Sequence, residues 1–317
     1  MNILVSGGAG YIGSTLVPIL LSAGHVVTVY DNLLHRNSLD AMLPLFRDSG
    51  YRFVKGDICD APALSAALRD IDLIIHLAAI VGFPACKSQP AMAEAVNVEG
   101  TRLLNRLRGA RPVIFASTGS VYGKLEDMCS ETSTPNPLTL YGQTKLTGEK
   151  MLLDKGNATV YRFATAFGLS PRMRLDLMPN QFTYEAVTAR FLKIYQPEAR
   201  RTFLHVYDIA RAFLHAVDHF SEMADIVFNC GSNELNATKQ GLAELIQNIV
   251  TVWDNAVQVD YSLNGQDPDG RDYEVEYARL RRTGFEPAIS LEQGIREMAN
   301  AFQAFRVANP YTSLVGA

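Results

Sequence analysis

A tyrosine and a lysine lie four residues apart in the segment Tyr141-Gly-Gln-Thr-Lys145, which follows Pro135 and Pro137. If the segment is helical, this spacing puts both side chains on one face, where the ammonium can approach the phenol. A free phenol has a pKa of about 10, and a neighbouring cation stabilises its phenolate. The pair therefore predicts a base that works near neutral pH. The alternative is a half-buried tyrosine beside a solvated lysine.

Several hydroxyl-bearing residues follow the apolar run 112–115 in the segment Ala116-Ser-Thr-Gly-Ser-Val-Tyr-Gly123. Such a segment is either a polar turn or the end of a strand that presents a hydroxyl to a ligand. Ligands of open α/β sheets bind beyond the carboxyl ends of the strands. We therefore expect one of these hydroxyls to face the helix that begins near Tyr141.

Gly7, Gly10 and Gly13 follow the first predicted strand and open the first predicted helix, with the spacing GxxGxxG. Here Gly7 would allow a tight turn, Gly10 the approach of a pyrophosphate to the helix N-terminus, and Gly13 close packing of helix on strand. Asp31 comes eighteen residues after Gly13, where an acid binds the adenosine ribose hydroxyls. Its charge would repel a 2′-phosphate and favours NAD, while the nearby Arg36 leaves NADP open. The alternative is a strand–helix turn that binds nothing.

Short apolar strands alternate with helices through the first half of the chain. The predicted strands are Asn2–Ser6, Val26–Tyr30, Arg52–Lys55, Asp72–His76, Val113–Ala116 and Ala158–Phe163, and the predicted helices are Tyr11–Ala23, Ala61–Arg69 and Ala91–Leu107. Strands that are apolar on both faces and alternate with helices indicate βαβ units. The sequence therefore predicts an α/β fold with a Rossmann-like, doubly wound parallel sheet.

The alternation stops after Phe163, where prolines interrupt shorter elements and the predicted helices Ala237–Val250 and Leu291–Phe305 stand apart from any strand. We predict an NAD-binding domain of residues 1–164 and about 203–228. A smaller α/β lobe of residues about 165–202 and 229–317 would bind the substrate.

Composition narrows the class of protein. A chain of 317 residues with 48% hydrophobic content can bury a sizeable core, and its net charge of −4 comes from mixed charges that give nucleic acid or anionic lipid no basic face. The four cysteines are far apart and lack CxxC spacing, which fits neither a disulfide scaffold nor a zinc site. The apolar N-terminal segment lacks a basic n-region and is shorter than the ~20 residues of a membrane span. We expect a cytoplasmic protein with no metal site, in which His215 and His219 are solvated helix residues.

Together these motifs resemble the extended short-chain dehydrogenase/reductase family, specifically its nucleotide-sugar branch of epimerases, dehydratases, decarboxylases and 4-dehydrogenases. The likeness extends over nearly the whole chain. Besides the motifs above, it rests on Gly56-Asp57-Ile58, Leu77-Ala78-Ala79, Asn97, Arg162-Phe-Ala-Thr-Ala-Phe-Gly168 and Arg201-Thr-Phe-Leu-His-Val-Tyr-Asp208.

The resemblance implies that Tyr141 takes a sugar hydroxyl proton while C4 gives hydride to NAD. Thr118 would hydrogen-bond the same hydroxyl, and Lys145 would hold the nicotinamide ribose and lower the pKa of the tyrosine. The other implied cofactor contacts are Gly7, Gly10, Tyr11, Ile12, Gly13, Asp31, Asn32, Asp57, Ile58, Leu77, Ala78, Ala79, Asn97, Ala116, Ser117 and Phe163. The implied substrate contacts are Val81, Lys87, Thr118, Thr165, Arg172, Arg174, Asn180, Arg201 and Arg271, and at Thr165 the family usually has Asn.

Gly119 and Ser120 follow Thr118 at positions where the dehydratases of the resembled family carry one or two carboxylates and the decarboxylases carry a glutamate. Removal of a C5 proton and expulsion of a C6 hydroxyl need such a group. We therefore expect oxidation at C4 followed either by return of hydride to the opposite face, as in a 4-epimerase, or by release of the 4-keto sugar, as in a 4-dehydrogenase. The alternatives are a dehydratase or decarboxylase, and a non-catalytic NAD-binding sensor or scaffold.

The segments 81–87, 170–176 and 267–273 look most like the branch with GDP-mannoheptose 4-dehydrogenases, which make 4-keto heptoses for bacterial surface polysaccharide. Lys87, Arg172 and Arg174 are then candidate contacts to sugar or phosphate. Alternatively, they are surface cations paired with Asp176 or Glu185. The resemblance further implies tightly bound NAD and a homodimer or higher homo-oligomer, formed through the helices of residues 91–107 and 141–153.

Overall fold

The computed structural model describes residues 1–35, 38–124, 128–251, 256–262 and 273–304. Its strands are β1 (Asn2–Ser6), β2 (Val26–Asp31), β3 (Tyr51–Lys55), β4 (Leu73–His76), β5 (Val113–Thr118), β6 (Ala158–Phe163), β7 (Thr165–Phe167), β8 (Phe191–Tyr195), β9 (Arg200–His205), β10 (Ile226–Cys230), β11 (Asn236–Thr238) and β12 (Gln258–Ser262). Its α-helices are α1 (Gly13–Ser22), α2 (Ser38–Met42), α3 (Ala61–Ala67), α4 (Phe83–Ser88), α5 (Pro90–Glu94), α6 (Thr101–Leu107), α7 (Leu140–Lys155), α8 (Met178–Ala189), α9 (Val206–Asp218), α10 (Phe220–Met223), α11 (Lys239–Thr251), α12 (Ala278–Arg281) and α13 (Leu291–Ala304). Short 3₁₀ helices cover Leu43–Arg47, Gly119–Val121 and Asn233–Leu235.

Seven strands form the main sheet in the order β10-β6-β5-β4-β1-β2-β3. All neighbouring pairs in it are parallel. The strand order reverses between β1 and β4, which makes this a doubly wound, Rossmann-like sheet. The predicted fold class is confirmed.

Both faces of the sheet are buried, as the apolar strands predicted. On β1, Ile3 and Val5 pack in a core cluster with residues of α1 and α9. Leu4, between them, points to the opposite face and packs with residues of α3, α6 and α7. This three-layer packing is what holds the carboxyl ends of the strands in fixed relation to one another.

The second half of the chain adds smaller elements at that edge. Strands β11, β9 and β7 form one sheet, β12 and β8 form another, and helices α8, α11 and α13 pack together beside them. These elements are α/β in character. The division into residues 1–164 with 203–228 and residues 165–202 with 229–317 stays a prediction.

The predicted helix over 91–107 is confirmed as a continuous helical stretch, but it is not α-helical throughout. Its central part, Ala95–Gly100, is π-helical and separates α5 from α6. The wider turn lets the side chain of Asn97 reach the backbone of Ile80. It also brings Gly100 so close to Ile58 that a Cβ on the glycine would lie 2.7 Å from Ile58 Cγ2.

Candidate active site

A cavity of about 420 Å³ lies at the carboxyl ends of the main-sheet strands. It includes residues that follow β1 and residues that follow β4, so it occupies the crevice where the strand order reverses, the usual place for a ligand in such a sheet. All the cofactor contacts implied by the sequence line this cavity except Asn97. Of the implied substrate contacts, Val81, Thr118, Thr165, Arg172 and Arg174 line it.

The glycine-rich loop after β1 is shaped by close backbone contacts. Gly7 has φ of 72°, and a Cβ there would lie 2.6 Å from the backbone nitrogen of Ala78. A Cβ on Gly13 would lie 2.3 Å from the carbonyl oxygen of Gly8. Only glycine fits both positions, and the result is an open concave backbone beside the N-terminus of α1, the kind of surface that accommodates a pyrophosphate.

Asp31 stands at the end of β2 with its carboxylate in the cavity. Its oxygens accept hydrogen bonds from the backbone nitrogens of Leu33 at 2.8 Å and Ala9 at 3.0 Å. Burial raises the pKa of Asp31, and the two backbone donors oppose that effect. Each oxygen keeps a lone pair for a ribose hydroxyl. Together with the glycine cradle, this acceptor makes the cavity fit NAD, while Arg36 lies outside the described residues.

Thr118, Tyr141 and Lys145 all line the same cavity. Thr118 ends β5, and its hydroxyl donates to Ser120 Oγ at 3.1 Å. Tyr141 lies in the first turn of α7, which Thr139 caps by accepting a hydrogen bond from the backbone of Gly142 at 3.2 Å. A Cβ on Gly142 would lie 2.8 Å from the carbonyl oxygen of Ser120, so the glycine lets this turn approach the end of β5.

Lys145 is 3% exposed, one turn after Tyr141 on α7. Its Nζ lies 4.2 Å from the centroid of the Phe115 ring, a cation–π contact. Burial lowers the pKa of the ammonium to about 7, and the nearby carboxylate of Glu149 opposes this effect. One turn from Tyr141, the site thus has an amine that titrates near neutral pH, in surroundings that screen its charge little.

Asn97 is placed outside the cavity lining. Its side-chain amide accepts from the backbone nitrogen of Ile80 at 2.7 Å and donates to the carbonyl oxygen of Ile80 at 2.9 Å. It also donates to Thr144 Oγ1 at 3.1 Å. Asn97 thus joins the loop after β4 to α7 and contributes to the shape of the site from behind.

Arg172 is buried and Arg174 is mostly buried, so neither is a surface cation. Arg174 pairs with Asp176, with 2.5 Å between Nη2 and Oδ2, so the predicted ion pair exists and still faces the cavity. Burial lowers the pKa of Arg172 to about 10, and the Asp31 carboxylate opposes this. Arg172 therefore lies toward the Asp31 end of the cavity.

Three implied substrate contacts lie elsewhere. Asn180 accepts a hydrogen bond from the backbone nitrogen of Gly168 at 3.0 Å and donates one to Tyr11 Oη at 3.2 Å. It thereby ties the glycine-rich loop to the chain after β7. Arg201 is buried on β9 and donates to the carbonyl oxygen of Arg200. Lys87 is exposed at the end of α4, its Nζ 5.4 Å from the Phe83 ring centroid. Arg271 lies outside the described residues.

A buried polar network behind the site was not predicted. Ser117 donates to Glu149 Oε1, and Arg162 Nη2 lies 2.7 Å from Glu149 Oε2. Arg162 also donates to Tyr122 Oη at 3.1 Å, and Tyr122 donates to Asn229 Oδ1 at 2.6 Å. The signal in the sequence was a glutamate one turn beyond Lys145 and an arginine inside an apolar strand, two buried charges that require partners.

No cluster of three or more His, Cys, Asp or Glu residues suited to a metal ion occurs in the part of the chain that the structure describes. His215 and His219 stack with ring centroids 4.2 Å apart, and His215 Nε2 lies 2.9 Å from Thr283 Oγ1. Among the same residues, no helix combines the length and apolar character needed to cross a membrane.

Comparison with known proteins places the chain among nucleotide-sugar enzymes. Residues 3–231 match the NAD dependent epimerase/dehydratase family. The chain is 27% identical to a dTDP-D-glucose 4,6-dehydratase of Mus musculus, over 93% of this chain and 87% of that protein. It is 32% identical to a UDP-glucose 4-epimerase of Halalkalibacterium halodurans, over 76% and 78%. The crystal structure of UDP-glucuronic acid 4-epimerase from Bacillus cereus with UDP-glucuronic acid and NAD matches with a TM-score of 0.84 and 25% identity, over 96% and 99% of the two chains.

Proposed function

Because this chain belongs to the NAD-dependent epimerase/dehydratase family, we propose that it uses NAD to oxidise C4 of a nucleotide sugar. It is an enzyme, and its cofactor is NAD. Its relatives act on UDP- and dTDP-sugars, and the same class of substrate is proposed here. The non-catalytic sensor or scaffold is therefore set aside.

The observation that carries the proposal is the convergence of Thr118, Tyr141 and Lys145 on the cavity that also contains the glycine-rich loop and Asp31. Bound NAD supplies the two-electron oxidant. The loop backbone around Gly7 would hold the pyrophosphate, and the Asp31 carboxylate would accept hydrogen bonds from the adenosine ribose.

Three side chains of the site have separate roles in removing the proton of the C4 hydroxyl. The Tyr141 phenolate takes the proton of the C4 hydroxyl, which lets the C4–H bond break toward the oxidant. The Thr118 hydroxyl hydrogen-bonds the same oxygen and fixes its position. The Lys145 ammonium stabilises the phenolate through its charge, which counts for more in a buried site than in water.

The residues after Thr118 favour oxidation without elimination. Ser120 lines the cavity and has no carboxylate. A Cβ on Gly119 would lie 2.9 Å from Tyr273 Oη, and Tyr273 is 3% exposed and packed edge-on against Tyr122. A carboxylate at position 119 would therefore require the Tyr273 side chain to move. Dehydration or decarboxylation is the alternative, since relatives of this chain carry out both reactions.

The proposed substrate is a GDP-heptose or a related nucleotide sugar, and the proposed role is in bacterial surface-polysaccharide synthesis. The segments 81–87 and 170–176 support it, because Val81, Arg172 and Arg174 face the cavity. The product is either the released 4-keto sugar or the 4-epimer. NADH that copurifies with the protein would favour the epimerase, which returns the hydride within one cycle.

Incubation with UDP-, GDP-, dTDP- and CDP-sugars tests the proposal, with products identified by mass spectrometry and NMR. We expect a 4-keto sugar or a 4-epimer from one nucleotide class. Loss of water or of carbon dioxide from the substrate would instead support the alternative. Failure with all four classes, from protein that binds NAD, would contradict the proposal.

A further inference from the structure

An anion, Glu149, lies on the same helix as the Lys145 ammonium and does not line the cavity. Glu149 follows Lys145 by one turn of α7 and is 1% exposed. Spacing of four residues on a helix brings the two side chains together on one face. No water reaches this carboxylate to weaken its field at the lysine.

Glu149 is held in place from the neighbouring strands. Arg162 Nε lies 3.1 and 3.2 Å from the two carboxylate oxygens, and Nη2 lies 2.7 Å from Oε2. The Ser117 hydroxyl donates to Oε1. Ser117 on β5 stands opposite Arg162 on β6, so the register of two central strands aims both donors at the same face. These contacts hold the buried Glu149 carboxylate in a fixed position, unlike that of an exposed surface ion pair.

Two other ionisable groups near Lys145, His76 and Cys86, are uncharged near neutral pH. Burial lowers the pKa of His76 on β4 to about 3 and raises the pKa of Cys86 on α4 to about 11. The acids on α5 and in the π-helical turn, Glu94 and Glu99, are exposed to solvent, which screens them. Tyr141, on the same helix, is the group whose phenolate the Lys145 ammonium would stabilise.

We propose that Glu149 is a positioning residue that keeps Lys145 an ammonium and so keeps Tyr141 a usable base. The inference rests on the proposed function, because it concerns the same base. Arg162 and Ser117 serve the same end indirectly, since they fix the carboxylate at its distance from the lysine. Phe115, which faces Lys145 with its ring, offers a cation–π contact but no countercharge.

The test measures the titration of Lys145 directly. The full chain is labelled with ¹³C at lysine Cε, and the Lys145 signal is identified by its loss in Lys145→Arg. In Glu149→Gln we expect the Lys145 pKa to fall by about 1 unit or more, because an opposite charge at this range is removed. Glu149→Asp keeps the charge and should restore most of the shift. Unchanged titration in a folded Glu149→Gln protein would overturn the proposal.

Two further variants separate this effect from general damage. Glu149→Gln leaves Arg162 without its partner, so the double variant Glu149→Gln/Arg162→Gln removes both buried charges, and the Lys145 pKa should still fall. Asp208→Asn removes another buried carboxylate, which pairs with Arg211 on α9, and should leave Lys145 unchanged. A shift of equal size in Asp208→Asn would contradict the assignment.

The NMR titration needs no substrate, so its outcome is independent of the proposed reaction. If Lys145 responds to Glu149 but no nucleotide sugar is oxidised, the function is wrong and the positioning role stands. If turnover is found, Glu149→Gln should lower kcat at pH 7 and leave KM for the sugar within about 2-fold, since the lost interaction acts in the transition state. A change in KM alone would contradict the role.

Discussion

Lys145 places a positive charge where a protein interior disfavours one. Burial lowers its pKa in the folded chain from the ordinary 10.5 to about 7. Between these two values the unfolded chain binds the proton and the folded chain releases it, so this residue makes folding more favourable as the pH rises. The site thus accepts a cost in stability to keep a cation beside its base.

Lys145→Met should raise the free energy of unfolding at pH 7 by about 1–3 kcal/mol, because a buried charge is exchanged for an apolar side chain of similar length. The difference between the variant and the original protein should shrink as the pH rises from 7 to 9. Denaturant unfolding at both pH values measures it. A variant less stable than the original at pH 7 would mean that Lys145 supports the fold.

Tyr141→Phe removes the phenol oxygen and keeps the ring. We expect turnover to fall by about 10²–10⁴-fold, the usual contribution of a positioned base, while NAD still binds. Product formation is followed by NMR and NAD binding by calorimetric titration. Turnover equal to that of the unaltered protein would remove Tyr141 as the base.

At the scale of elements, the backbone conformation of the loop between β1 and α1 is determined by its close approach to the residues that follow β4. Gly7 combines φ of 72° with a backbone contact to Ala78 that leaves no space for a Cβ. Gly24, in the turn after α1, also has positive φ, at 84°, but nothing lies within 4 Å of where its Cβ would be. Substitutions at these two glycines therefore separate the effect of strained backbone from the loss of the concave loop that would hold the pyrophosphate.

Gly7→Ala should weaken NAD binding by about 10-fold or more, whereas Gly24→Ala should leave it unchanged. Gly24→Ala should cost about 1–2 kcal/mol of stability because alanine disfavours positive φ, and Gly7→Ala should cost more because its Cβ also collides with the backbone of Ala78. Calorimetric titration with NAD and thermal unfolding measure the two effects. Equal loss of NAD affinity in both variants would mean that the substitutions act through general damage to the fold and not through the glycine-rich loop.

Sequence patterns predicted the main-sheet strands of the first half to within about two residues, because most of them are short apolar runs buried on both faces. They failed where tertiary contacts decide the outcome. The π-helical turn at Ala95–Gly100 occurs together with the contact of Asn97 with Ile80, and no local pattern shows either. Pairing of Glu149 with Arg162 follows from the register of β5 on β6 and the packing of α7. Motif residues likewise indicated the cavity lining, but not that Asn180 would bind backbone instead.

At the scale of the whole molecule, one outer surface is formed by α5, the π-helical turn, α6 and α7. This surface contains a shallow depression lined by Glu94, Glu99, Gln143 and Thr147 among others. This is the surface through which self-association is predicted. Both faces of the main sheet are already covered, so a second copy would add helices to helices.

Sedimentation equilibrium should give a mass of at least twice 34.9 kDa, as a homodimer or a higher homo-oligomer requires. Gln143→Glu adds a negative charge beside Glu94 and Glu99 and should shift the protein toward the monomer, whereas Gln240→Glu on α11 should not. A monomeric mass for the unaltered chain at micromolar concentration would contradict the predicted dimer.

The contact of Gly119 with Tyr273 also constrains how this chain could change its reaction over evolutionary time. An acid at position 119 requires the Tyr273 phenol to move, because a Cβ there would lie 2.9 Å from Tyr273 Oη. A smaller residue at position 273 would open that space. Such a change would ease a later conversion to elimination chemistry, although it would bring no new activity by itself.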